Sequence, residues 1–580
     1  MFWLARSLTR TGLALLVTFA FELCIPFFTM RLFYKLGSAL AVGIGLGLAS
    51  CDTQREAVDL LVTNATVYTV DSTFSKAQAF AVRDGRFVAV GTTADLQGRY
   101  QAKQTVDAQG EFIYPGFYDA HCHFYRYALG LRSANLVGAT SWAETVGRLT
   151  RHRQQQPGAA WLTGRGWDQN DWPGQRFPTK DTLDVLFPNV PVLLARVDGH
   201  AAVANQKALD LAGVTARTPI SGGVIGRDAQ GRLTGLLVDN AVKLVAAKIP
   251  EPSPAEADDA LLQGQQNCLA VGLTSLADAG LDREDIERMA ALQKSGKLNL
   301  RLYTMLNPTP DNKAYYLPRG PYFSDNLTIS SFKVYADGAL GSRGASLLAP
   351  YTDRPAERGF LLQNPGYYRS LAKELAATKF QMNTHAIGDS SNRLLLDIYG
   401  AALKGQPDRR WRIEHAQVVS PRDMPKFGQY HVVPSVQPTH ATSDMYWAGE
   451  RLGAQRLQTA YAYQELLKQY GQVALGSDFP VEDINPLYGY HAAVARQDAK
   501  NFPAAGFQMP NALTREQALR GMTTWAAHAA FEEKRKGQIK PGMLADFVVL
   551  KTDLITAPKE QLRNAPVQQT WIGGKRVFSR

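Results

Sequence analysis

Apolar and polar positions change rhythm twice along this chain. Over residues 58–115 they alternate with a period of two and β-branched residues are frequent, so short strands are expected there. Residues 59–68 predict a strand pair joined by a turn. Residues 81–90 predict a hairpin, because Asp84-Gly85 suits a type I′ turn. The same rhythm returns at the far end, where 546–550 read as a strand and 567–572, followed by Gly573-Gly574, as a second hairpin. Two β-rich ends around a long middle predict one small β-sandwich domain built from 58–115 and 537–580, so that the termini meet in space.

From 116 to about 530, short apolar runs alternate with amphipathic stretches. Strands are expected at 300–304, 329–334, 380–385, 412–415, 432–437 and 473–478, with an amphipathic helix over 367–378. Thr514-Arg515-Glu516-Gln517 has the form of a capping box opening a further helix. This alternation predicts an α/β fold with a parallel sheet, either doubly wound and open or closed as a (β/α)8 barrel. In residues 138–250 Gly, Pro, Trp and Asp are dense and the alternation is lost, which marks an insertion. Lys333, His385, His415 and Asp478 each end an apolar run, and barrels of the TIM type carry their catalytic groups at the C-terminal ends of strands. The barrel is therefore the favoured reading.

The chemistry starts at Pro115-Gly116-Phe117-Tyr118-Asp119-Ala120-His121-Cys122-His123. Residues i and i+2 of a strand share a face, so His121 and His123 can place two imidazoles on one metal. Cys122 then faces the other way and reads as a buried thiol. The remaining cysteines, Cys24, Cys51 and Cys268, have no zinc-knuckle or disulfide spacing. The net charge is +11, but Lys and Arg are scattered without a long basic run, which argues against nucleic acid as a partner.

Residues 1–50 read as a targeting segment. From Met30, a second candidate start, Arg31 and Lys35 precede an apolar stretch that ends in Leu48-Ala49-Ser50-Cys51. This resembles the signal peptide and lipobox of a bacterial lipoprotein, which implies lipidation of Cys51 and a lipid anchor in a membrane of the cell envelope. The alternative is a membrane-spanning anchor within 11–50, which Arg31 and Lys35 interrupt.

The ordered motifs resemble the amidohydrolase superfamily, and more closely its N-substituted formamide deformylase-like branch. They run from Pro115–His123 through Asp198-Gly199-His200, Gly222-Gly223-Val224-Ile225-Gly226-Arg227-Asp228 and Lys333-Val334-Tyr335-Ala336-Asp337-Gly338 to Thr384-His385, Glu414-His415-Ala416 and Gly476-Ser477-Asp478-Phe479-Pro480. The resemblance implies a metal-dependent hydrolase holding one or two divalent ions, zinc among the suitable metals. His121, His123 and Asp478 would hold one ion and His385 and His415 a second. Lys333 would bridge them as a carbamate, or else remain an ammonium beside a single ion. Asp478 would act as general base and then acid. Arg165, Trp167, His200, Asp337 and Arg343 are candidate contacts to a small amide-type substrate. Glu414, directly before a ligand, is expected to face away from the metal and support the barrel. Hydrolysis of esters or cyclic amides at the same site, or binding without chemistry, are the alternative functions.

Overall fold

The computed structural model describes residues 55–404 and 406–580; the expected signal peptide and Cys51 lie outside the described residues. Strands β1 (Glu56–Thr63), β2 (Thr66–Tyr68), β3 (Lys76–Ala77), β4 (Ala79–Arg83), β5 (Arg86–Gly91), β6 (Tyr100–Asp107) and β7 (Phe112–Pro115) precede β8 (Phe117–Cys122). A second group follows: β9 (Ala134–Asn135), β10 (Leu162–Trp167), β11 (Val192–Arg196), β12 (Ala201–Ala204), β13 (Gly223–Arg227) and β14 (Leu233–Asp239). Then come β15 (Leu273–Leu281), β16 (Arg301–Leu306), β17 (Tyr322–Phe323), β18 (Leu327–Tyr335), β19 (Gln381–Ala386), β20 (Arg412–His415), β21 (Val433–Val436) and β22 (Ala474–Leu475). The chain closes with β23 (Phe547–Leu550), β24 (Val567–Ile572) and β25 (Lys575–Ser579).

The two β-rich stretches pair with each other. One sheet has the order β5-β4-β1-β6, and another runs β25-β24-β23-β7-β2-β3, with β23 antiparallel to β7 and Phe547 opposite Pro115. Leu60, Phe80, Phe87, Ile113, Phe547 and Trp571 form one buried cluster contributed by both sheets. Asp84 (φ 52°) and Gly85 (φ 72°) both take the left-handed conformations that a type I′ turn requires, and they join β4 to β5. The pairing expected within 59–68 does not form. Asn64 turns the chain at φ 52°, after which Ala65 N–H bonds Gln78 O and Thr66 N–H bonds Glu111 O. The backbone groups that a local hairpin would need are thus committed elsewhere, and β1 and β2 enter different sheets.

Eight strands form the parallel barrel in the order β22-β21-β20-β19-β18-β16-β15-β8, with β17 added antiparallel to β18. Tyr118, Ala120, Ala277, Tyr303, Met305, Val433 and Ala474 fill its interior, and a larger apolar shell packs the outer faces of the strands against the helices. The first and last strands are bridged without a regular ladder. Asp478 N–H donates to His121 O at 2.7 Å, and His123 N–H donates to Phe479 O at 2.8 Å. At Gly476 a Cβ would stand 2.5 Å from His121 N, so only glycine permits this approach. At the opposite end of the barrel the buried Glu532 carboxylate receives Tyr118 Oη at 2.9 Å, Thr328 Oγ1 at 2.6 Å and Lys536 Nζ at 2.7 Å.

Residues between β8 and β15 carry their own sheet, β13-β14-β12-β11-β10-β9, around Trp167, Trp172, Leu183 and Leu194. Its strands were hidden in the sequence by the density of Gly, Pro and Trp. The capping box at Thr514 forms, with Thr514 Oγ1 and the Gln517 side chain each accepting the other's backbone N–H. Among the described residues no helix is long and apolar enough to cross a membrane.

Candidate metal centre

At the C-terminal end of the barrel strands, one nitrogen each of His121 and His415 and a carboxylate oxygen of Asp478 lie within 4.8 Å of one another. Asp478 Oδ1 is 3.4 Å from His121 Nε2 and 3.2 Å from His123 Nε2. The His415 ring centroid is 5.0 Å from that of His121 and 4.5 Å from that of His385. Lys333 Nζ, 1% exposed as a residue, is 3.1 Å from His121 Nε2. All six side chains expected at the metal therefore converge, although they come from β8 and the residue after it, β18, β19, β20 and the segment after β22.

Local backbone conformation aims several of them. β20 alternates normally through Arg412, Ile413 and Glu414, and then His415 turns left-handed at φ 74°. This breaks the alternation, so neighbouring side chains reach the same place. Glu414 does not face away: its Oε2 is 2.7 Å from His121 Nδ1, and both groups are fully buried. β22 ends at Leu475, three residues earlier than expected, and Asp478 beyond it is left-handed at φ 63°. Asp119 steadies this corner by accepting Ser477 Oγ at 2.6 Å and the backbone N–H groups of Ser477 and His121 at 3.0 and 3.1 Å.

The donor set suits a divalent cation. His385 Nε2, His415 Nδ1 and Asp478 Oδ1 are buried without hydrogen-bond partners, which is costly unless something else satisfies them. Burial holds the His123 imidazole down to about 3 and those of His385 and His415 well below their ordinary value, so these three are neutral nitrogen donors. Burial works against the Asp478 carboxylate, but His121 and His123 more than offset it and keep Asp478 ionised. Burial and Lys333 work against a charge on the His121 imidazole, but Glu414 and Asp478 outweigh them and push it up to about 9. Its Nδ1 lies against Glu414, so Nε2 is the nitrogen that faces the cluster, and a cation held there would displace its proton. His123 Nδ1 is likewise taken up by Ala279 O at 2.9 Å.

The expected substrate contacts separate into two groups. His200 is close, with its ring centroid 5.2 Å from that of His385. Its Nδ1 lies 2.6 Å from Asp239 Oδ1, a carboxylate that no sequence motif had marked. Arg165 anchors Nη2 on Val197 O at 2.8 Å and lies close enough for the charge of Asp478 to act on it. The other three have polar groups engaged by protein partners. Trp167 is fully buried in the core of the inserted sheet and donates Nε1 to Leu194 O at 2.8 Å. Asp337 accepts from Ser346 N, Ile387 N, Gly388 N and Ser391 Oγ, bracing the loops after β18 and β19 with one oxygen 3.5 Å from His385 Nε2. Arg343 pairs with Asp353, which also binds Arg451. Trp and Arg in a loop near a site carry the same letters whether they pack or bind, so sequence could not divide them.

Comparison with known proteins agrees with this geometry. The profile of the amidohydrolase family matches residues 104–578. The chain is 34% identical over 538 residues to Protein LONG AFTER FAR-RED 3 of Arabidopsis thaliana, covering 90% of this chain and 91% of that one. It is 28% identical over 546 residues to the N-substituted formamide deformylase of Arthrobacter pascens, covering 90% and 98%. Among solved structures, an uncharacterised metal-dependent hydrolase of Pyrococcus horikoshii superposes with a TM-score of 0.71 at 25% identity, covering 86% of this chain and 99% of that one.

Proposed function

We propose, from the premise that this chain belongs to the amidohydrolase family, that it is a metal-dependent hydrolase of carbon–nitrogen bonds in amides or N-substituted formamides. The observation that carries the reading is the convergence of His121, His123, His385, His415 and Asp478, with three of their donor atoms buried and partnerless. These residues would hold one or two divalent ions, zinc being well suited to imidazole and carboxylate donors. Bound there, a divalent ion would polarise the substrate carbonyl and acidify a water so that it attacks near neutral pH. Asp478 would accept the proton of that water and return it to the leaving nitrogen. Lys333 would serve as a carbamate, formed when its neutral amine adds carbon dioxide and releases a proton. A buried lysine with no carboxylate within ion-pair distance among the described residues is suited to that reaction.

Two further readings accompany this one. The terminal sheets would form a β-sandwich domain that ties both chain ends to the barrel, as their shared core suggests. Lipidation of Cys51 would anchor the protein in a bacterial envelope membrane, a reading supported by the Leu48-Ala49-Ser50-Cys51 sequence. The test of function is metal analysis of the purified protein, followed by a panel of N-formyl, N-acyl and cyclic amides and matched esters. Asp478→Asn should cut turnover of any hydrolysed substrate by about 10²-fold or more. A protein without bound metal, or an undiminished Asp478→Asn, would count against the reading.

A further inference from the structure

Strand β21 ends beside the metal centre in polar groups that nothing in the protein satisfies. Val433 of β21 lies in the barrel interior, whereas Val436 packs in the outer shell against the helices. By the two-residue period, Gln437 continues the inward face of Val433 and Ser435. The register places it between β20, which ends in His415, and β22, which leads into the segment carrying Asp478: Ser435 pairs with Glu414 on one side and with Ala474 on the other. Gln437 is 1% exposed, and neither its Oε1 nor its Nε2 has a hydrogen-bond partner. Its backbone is held, because Tyr463 Oη donates to Gln437 O at 2.9 Å. Two nearby groups share the condition, Thr439 Oγ1 and His440 Nε2. His440 Nε2 stands 3.9 Å from Asp478 Oδ2, and its ring stacks at 15° and 5.8 Å on His415. Buried polar side chains are seldom left unpaired, and three within four residues, next to a candidate catalytic carboxylate, mark a surface that receives a ligand.

We propose that Gln437 reads the amide N–H of the substrate through Oε1, so that the enzyme selects amides carrying a hydrogen on nitrogen over tertiary amides and esters. The inference rests on the hydrolase reading above and narrows its substrate class. A carboxamide offers one acceptor oxygen and one two-hydrogen donor, and the polar atom that distinguishes a secondary amide from its ester is a donor. A site built to hydrogen-bond an N–H discriminates strongly against an analogue that lacks it, because its own buried acceptor is then left unpaired.

The test uses the metal-loaded full chain and three matched compounds in formyl and acetyl series: the N-butyl amide, the N-butyl-N-methyl amide and the butyl ester. In the wild type kcat/KM should favour the secondary amide over the tertiary one by about 10²-fold or more. Gln437→Met, of similar length but without the polar atoms, should lower that ratio by about tenfold or more, through the loss of kcat/KM for the secondary amide, while metal content stays close to wild type. Gln437→Glu keeps an acceptor oxygen and should retain most of the preference. An unchanged ratio in a folded, metal-replete Gln437→Met overturns the proposal. If that variant does not fold, equal turnover of the secondary and tertiary amides by the wild type overturns it instead. Failure of the metal-loaded wild type to hydrolyse any of the compounds would reject the hydrolase reading itself, a result distinct from hydrolysis without discrimination.

Discussion

Glu414 Oε2 accepts a hydrogen bond from Nδ1 of His121 at 2.7 Å, with both side chains fully buried. The contact fixes the tautomer of a proposed ligand and raises its basicity. Glu414→Gln keeps the shape but removes the charge, and should weaken metal binding by about 10–100-fold. Competition with a chelator measures this directly, and unaltered affinity would show that the carboxylate is only packing.

Lys333 separates the two forms of the metal centre. As a carbamate it adds an anion beside a dense cluster of histidines, so Lys333→Ala should lower bound metal from about two ions per chain towards one or none. Acetate at high concentration should restore part of the metal and of the activity. As an ammonium it would repel a cation, and its removal should leave metal content unchanged or higher. Metal analysis of the variant with and without acetate decides between them.

Truncation after Phe531 removes β23, β24 and β25 together with Glu532, which receives hydrogen bonds from Tyr118 and Thr328 of the barrel. It would expose the β7 edge and the cluster around Phe80 and Ile113 to water. The truncated protein should be insoluble although every proposed ligand remains. A soluble, metal-binding product would show that the barrel stands without the C-terminal strands.

Burial, reinforced by the charge of Arg410, holds the His528 imidazole down to about 4. In the unfolded chain a histidine titrates near 6.5. As pH falls from about 6.5 towards 4, the unfolded state takes up a proton that the folded state refuses, so stability is lost across that window, by up to about 3 kcal/mol. His528→Gln should therefore flatten the drop in thermal stability between pH 7 and pH 4.5. Equal slopes in the two proteins would assign the acid sensitivity to other groups.

If Cys51 is the lipidated residue, Cys51→Ser should leave the signal peptide attached and the protein larger on a denaturing gel. Normal processing before residue 51 in that variant would remove the lipoprotein reading.

What the sequence determined by itself was whatever depends on short separations. The Asp84-Gly85 hairpin, the Thr514 capping box, the strand that ends at His415, the strands that carry Lys333 and His385 within their last three residues, and the His121-x-His123 spacing all follow from turn chemistry, periodicity and neighbouring residues. Tertiary structure decided the rest. Glu414 and His121 are 293 residues apart, and their contact depends on barrel closure between β8 and the segment after β22 and on the left-handed turn at His415. Strict alternation along β20 would send one of two adjacent side chains away, whereas the turn at His415 lets Glu414 reach His121 as well. Asp239 meets His200 because β12 pairs with β14, and no local pattern encodes that register. Trp167 and Gln437 show the same limit from opposite sides. Trp167 is absorbed by the core of the inserted sheet, whereas Gln437 is left beside the metal centre without a partner, and only the packing of distant strands distinguishes them.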